Sequence, residues 1–139
     1  MTQCPECSAQ FGDAETCFQR FDALLALDHS RREPWGSRHG QAFAAFALQH
    51  PDTHERSLDA AWDSLYRIYC LGESPSEVFN ALRKGPRPFC GIARPSHRAR
   101  PFGVTIAHLG DFAAATYPAA LDSWCRSALA GWGAPIFNE

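Results

Sequence analysis

The sequence predicts a mainly α fold: a compact bundle of about five helices, preceded by a CxxC knuckle and interrupted by an irregular segment rich in proline and arginine. Three observations carry this expectation. Apolar residues recur at three-to-four spacing in five stretches, the signature of a helix with one buried face. Residues that start and stop helices bracket those stretches, with Thr, Ser or Asp before them and Gly or Pro after them. No stretch alternates apolar and polar residues with the period of two that a half-buried strand requires.

Taken in order, the first helix is expected from about Thr16 to Asp28, with Phe18, Phe21, Leu24, Leu25 and Leu27 forming its apolar stripe. The polar stretch HSRREPWGSRHG then reverses the chain. A second helix follows from about Ser37 to Gln49, with Phe43 and Phe46 inward and Pro51 just past its end. Asp52 and Glu55 resemble a capping box, opening a third helix that buries Leu58, Trp62, Leu65, Ile68 and Tyr69 and stops at Gly72. Ser74-Pro75-Ser76-Glu77 opens a fourth, which carries Val78, Phe79 and Leu82 and ends at Gly85. Pro86, Pro88, Pro95 and Pro101 make residues 86–104 irregular or extended, and a short helical turn is expected at Thr105–Leu109. Pro118 opens the last helix, with Leu121, Trp124, Cys125, Ala128, Leu129 and Trp132 along one face.

At 139 residues the chain reads as one domain: a knuckle at 1–17, a four-helix core at 18–85, a basic irregular segment at 86–110 and a C-terminal helical unit at 111–139. Hydrophobic residues at 45% and charged residues at 20% exclude a disordered chain. No apolar run approaches the roughly 20 residues of a membrane span. The start, MTQCPEC, has neither the basic flank nor the apolar stretch of a secretory signal, so a cytoplasmic, reducing compartment is expected. There, six cysteines point to metal ligation or free thiols ahead of disulfides. The net charge of −2 is unevenly spread, with twelve acidic and six basic side chains in residues 1–77 but six basic and no acidic ones in 78–110. Twelve arginines against one lysine, with many alanines, suggest a bacterial source.

Cys4-Pro5-Glu6-Cys7 is the strongest chemical signal. Its tight turn lets two thiolates reach one zinc ion at about 2.3 Å. The competing redox reading needs the motif at a helix start behind a strand, and no strand is expected before it. A third reading leaves the cysteines as unrelated thiols. Cys17 lies ten residues beyond Cys7 in the first turn of the first helix, where the helix dipole favours a thiolate. His39 and His50 compete for the fourth position; they bracket the second helix about 16 Å apart, so one ion cannot take both.

An antiparallel first hairpin would set the start of helix one beside the end of helix two. That topology selects Cys4, Cys7, Cys17 and His50 as the metal ligands, with His39 as the fallback. It also puts His39 beside Asp28 and His29, either as a partly buried histidine bonded to Asp28 or as a second polar site of Asp28, His29 and His39. His54 follows His50 by four, but Pro51 breaks the helix between them. Cys70 and Cys125 fall on apolar faces and read as core, whereas Cys90, in PFCGIARP, reads as exposed and supplied with no base.

The chain also resembles a family of small bacterial proteins known as domain of unknown function 5946. The resemblance rests on CPEC with Cys17, on FDALLALDHS and on RHGQAFAAFALQHP, where His39, Phe46, Gln49, His50 and Pro51 match the family's pattern of a histidine, an aromatic and then L-Q-H-P. DSWCRSALAGW resembles the family's tryptophan-containing last helix. Phe46 stands where the family often has tyrosine, and Gly40 where it often has an apolar residue. The resemblance implies a helical fold and a zinc site, and it implies no activity.

For function, the preferred reading is a structural-zinc interaction or adaptor module that binds a protein partner, with Trp35, Trp132 and Phe137 as candidate contacts or, equally, core residues. A small metalloenzyme is the alternative. A shell of three cysteines and one histidine leaves no open position, so its chemistry would lie near Asp28 and His39. GxSxG, HExxH, P-loop and GxGxxG motifs are all missing from the sequence. A further alternative is anion or nucleic-acid binding through Arg83, Lys84, Arg87, Arg94, Arg98 and Arg100, with Phe89 and Phe102 interleaved. The net negative charge favours instead a basic loop that neutralises the acidic N-terminal half, which argues against nucleic acid as a partner.

Overall fold

A computed structural model describes residues 2–11, 16–85 and 88–136. Its five helices are α1 (Cys17–His29), α2 (His39–Gln49), α3 (Leu58–Tyr69), α4 (Pro75–Arg83) and α5 (Tyr117–Gly131), so the fold is mainly α. Before α1, two short strands pair antiparallel: β1 (Thr2–Gln3) and β2 (Gln10–Phe11), with Thr2 opposite Phe11 and Gln3 opposite Gln10. Two residues per strand are too few to show an alternation, which is why the sequence carries no strand signal there.

Thr16 starts α1 through a complete capping box. The Gln19 N–H donates to Thr16 Oγ1 at 3.2 Å, and the Thr16 N–H donates to Gln19 Oε1 at 2.9 Å. Two other starts differ from expectation. Glu55–Ser57 form a 3-10 turn, and α3 begins only at Leu58 without a side-chain cap, because the Asp52 N–H is turned toward Glu6. Pro75 occupies the first turn of α4 as expected, but Ser74 Oγ meets Ser76 Oγ at 3.0 Å and caps nothing. Gly72, at φ +75°, ends the α3 region in the left-handed conformation that glycine adopts without strain.

At the centre lies α2, with Phe46 and Leu48 fully buried, flanked by α3 and α5. The Phe21 ring of α1 stacks on Phe46 at 4.1 Å, while Asp28 further along α1 meets His39 at the start of α2. The two pairs run in opposite senses, so α1 and α2 are antiparallel. The expected inward face of α5 is buried throughout. Trp124 and, just past the end of α5, Trp132 hold the end of α2: Trp124 Nε1 donates to Gln49 Oε1 at 2.9 Å, and Trp132 Nε1 donates to the Leu48 carbonyl at 2.7 Å. Gln49 Nε2 donates in turn to the Val104 carbonyl at 2.8 Å, so a fully buried amide is satisfied on both sides.

The proline-rich segment is irregular, as expected, yet it is tied down. Ala99 and Arg100 N–H groups donate to the Gly131 carbonyl at 2.7 and 3.1 Å, and Phe102 covers Gly131 so closely that a Cβ there would overlap its ring. Trp62 Nε1 donates to the Ile92 carbonyl at 2.9 Å. The unit expected at 111–139 is only partly helical, since residues 111–116 form turns before α5. Trp132 is buried, the core alternative expected for it, and Trp35 is half-buried with its Nε1 donating to the Phe112 carbonyl at 2.9 Å. Phe18, expected on the inward stripe, is 40% exposed. Phe137 lies outside the described residues.

Candidate metal centre

Three pieces of chain that are distant in sequence converge at one end of the α1–α2 hairpin. The first is the loop between β1 and β2. Its Cys4 N–H donates to the Ala9 carbonyl and its Ser8 N–H to the Cys4 carbonyl, both at 2.9 Å, with Ser8 at φ +68° turning the chain. This knuckle holds Cys4 and Cys7. The second piece is the first turn of α1, where the Thr16 cap fixes Cys17 at the positive end of the helix. The third is His50, which caps the C-terminus of α2 with φ −130° and ψ 62°.

One donor atom from each of Cys4, Cys7, Cys17 and His50 lies within 4.8 Å of the others, an arrangement that could hold a metal ion. Cys7, Cys17 and His50 are buried, and Cys4 is half-buried at the rim. Cys7 Sγ and Cys17 Sγ are 3.5 Å apart. Two sulfurs bound to one tetrahedral ion at about 2.3 Å would lie about 3.8 Å apart, so the pair needs to open only slightly. The hydrogen bond between the two sulfurs holds Cys7 below the ordinary thiol range. The same bond, with burial, pushes Cys17 up. A bound cation would displace the thiol protons.

The imidazole supplies the sharpest test of fit. His50 Nδ1 lies 2.8 Å from the Phe46 carbonyl, which can only accept, so Nδ1 carries the proton. Nε2 is then the lone-pair nitrogen, and it is buried with no hydrogen-bond partner. A buried acceptor without a partner costs about 1–3 kcal/mol, and a metal ion removes that cost. A carbonyl on the far nitrogen is also how metal-bound histidines are usually oriented.

Glu6, between the two knuckle cysteines, contributes in a way the motif did not reveal. Its carboxylate accepts from the Asp52 N–H at 2.8 Å, the Thr53 N–H at 3.2 Å and Thr53 Oγ1 at 2.8 Å. The knuckle is thereby clasped to the turn that follows His50. Arg98 Nη1 donates to the Glu6 carbonyl at 2.8 Å, adding the basic segment to the same clasp. Phe18 covers the site, its ring 5.6 Å from that of His50.

The other candidate residues fall elsewhere. His39, the fallback ligand, sits at the opposite end of α2, where Nδ1 meets Asp28 Oδ2 at 2.9 Å and the His29 ring lies 5.8 Å away. Among the described residues, Asp28, His29 and His39 do not form a second metal-holding group. His54 packs edge-on against Phe43 and Phe46, at 5.5 and 5.6 Å, outside the thiol cluster. Cys125 is buried as expected, whereas Cys70 and Cys90 are both half-buried. The Cys90 N–H donates to Asp63 Oδ1 at 2.6 Å.

Among the described basic residues, Arg94 and Arg98 are engaged within the molecule. Arg94 pairs with Asp59 at 3.0 Å and lies over the Trp132 ring, and Arg98 lies over Phe102 while reaching Glu6. Arg83, Lys84 and Arg100 are exposed, and Arg87 lies outside the described residues. No helix among the described residues is long and apolar enough to cross a membrane.

Fold and site together define a small helical protein whose N-terminal knuckle and first hairpin converge on a cluster of three cysteines and one histidine. The chain belongs to the family of unknown function DUF5946, whose model matches residues 2–133. No curated protein and no solved structure matches it.

Proposed function

We propose that this protein is a zinc-stapled helical module that presents a surface to a protein partner. The observation that carries the reading is His50, whose protonated nitrogen is taken by the Phe46 carbonyl while its free nitrogen is buried beside three thiols. Three thiolates and one imidazole suit zinc and fill its four tetrahedral positions, which favours a structural role. The staple has something to hold. A ribbon of two residues per strand is too small to be stable alone, and zinc would tie it to α1 and α2.

A protein partner is supported by the apolar surface beside the basic segment. Phe89 and Ile92 are 55% and 45% exposed at a groove of about 410 Å3 that also includes Trp62. Exposed apolar clusters of this kind mark contact surfaces. Arg94 and Arg98 are engaged within the molecule, which supports a protein over a nucleic acid as the ligand of this face.

Two measurements test the reading. Zinc added to chelator-stripped protein should raise the melting temperature by several degrees; an unchanged melt contradicts the staple. The double variant Phe89→Ser/Ile92→Ser should keep its zinc and its fold yet lose the proteins that the tagged wild type retains from an extract of its own cells. Retention of the same proteins contradicts the partner surface.

A further inference from the structure

The end of the α1–α2 hairpin remote from the cysteines carries a second constellation, independent of any metal. Asp28 is 4% exposed, and its Oδ2 accepts from His39 Nδ1 at 2.9 Å. Its other oxygen, Oδ1, is buried without a hydrogen-bond partner. A buried carboxylate held this way takes the Nδ1–H and fixes the orientation of the imidazole, turning Nε2 outward, where the protonated ring donates to a ligand. His39 keeps 43% of its side chain exposed, and it lines a groove of about 530 Å3 between α2 and α4 with Ser37, Ser76, Phe79, Leu82 and Arg83. That volume lies within the range of about 300–1,000 Å3 typical of small-molecule sites.

The groove has a definite chemistry. Phe79 and Leu82 form an apolar floor, and Gly40 makes room for it, since a Cβ at that position would come within 2.7–2.8 Å of the Phe79 ring. His39 and Arg83 supply the nitrogen donors, and no aspartate or glutamate is among the lining residues. The Arg83 guanidinium donates to Asn80 Oδ1 at 2.6 Å and to the Phe79 carbonyl at 3.5 Å, both neutral acceptors, so its charge is uncompensated there. Ser37 is tied to Glu33, its hydroxyl and its N–H both donating to that carboxylate.

We infer that the α2–α4 groove binds a small organic anion with an apolar body. The charged end meets His39 and Arg83, and the body lies on Phe79 and Leu82. Guanidinium and imidazolium N–H groups make strong charge-assisted bonds to carboxylate and phosphate oxygens alike. Both headgroups therefore belong to the same inference.

The test uses the full chain loaded with zinc, with nuclear magnetic resonance reporting on the His39 and Phe79 rings. The probes are benzoate, phenyl phosphate, benzamide and inorganic phosphate. Benzoate or phenyl phosphate should shift both rings saturably, and whichever binds tighter identifies the preferred headgroup. Benzamide and inorganic phosphate should bind more weakly. Arg83→Gln, a surface change that spares the core, should weaken the anion about tenfold, the loss expected for one charged contact. His39→Gln should weaken it further, and Arg100→Gln, outside the groove, should leave it unchanged. The inference is overturned if neither anion shifts the groove, or if benzamide binds as well as benzoate. Inorganic phosphate that matches phenyl phosphate, or an undiminished affinity in Arg83→Gln, would also overturn it.

Discussion

At position 50 a single histidine is held at one nitrogen and free at the other, and the candidate centre depends on that asymmetry. Glu6 acts at one remove by gripping Asp52 and Thr53 just beyond the ligand. We therefore expect Glu6→Ala to keep one zinc per chain while weakening its affinity about tenfold, at the low end for groups that orient ligands. Competition with a chromophoric chelator measures this. Gln49 gives a second prediction. Trp124→Phe strands its buried Oε1, which should cost about 1–3 kcal/mol in urea unfolding with the zinc content unchanged. Cys4, Cys7 and Cys17 were legible because ligand spacing is a local pattern. Glu6 was not, because its partners lie at positions 52 and 53, far along the chain. The sequence showed His39 and His50 as equals, and only the antiparallel direction of the hairpin separated them.

Among the elements, α1 links the fold to the site through its first turn. Thr16→Ala removes the capping box, which should cost about 0.5–2 kcal/mol and fray the turn that holds Cys17. Zinc affinity should fall together with stability, and a chelator titration beside a thermal melt separates the two losses. The C-terminal end of α5 makes a different prediction. Gly131→Ala drives a methyl group into Phe102 and should lift the irregular segment, at a cost of about 1–3 kcal/mol. Limited proteolysis should then cut near residues 97–104 faster than in the wild type. Helices were legible here wherever apolar periodicity and terminal residues agreed, as for α1 and α5. The start of α3 was not, because the Asp52 N–H is drawn to Glu6 and a 3-10 turn replaces the first helical turn. The β1–β2 ribbon was invisible because strands of two residues have no period to read.

For the molecule as a whole, large fully buried side chains such as Trp124, Leu65 and Leu129 sit on α3 and α5, outside the cluster of three cysteines and His50. Removing the metal should therefore leave most of the helical circular dichroism in place. Amide exchange should rise around residues 2–11 and 50–54, because the staple and not the core would be lost. Acid should have the same effect. Metal binding deprotonates the thiols, so affinity falls as pH falls, and zinc should be released on acidification while the helices persist. The most direct test of the account is elemental analysis of the purified protein and three variants. It predicts one zinc per chain in the wild type and in His39→Ala, with zinc lost from Cys17→Ala and His50→Ala. Zinc that survives His50→Ala but disappears in His39→Ala would contradict it.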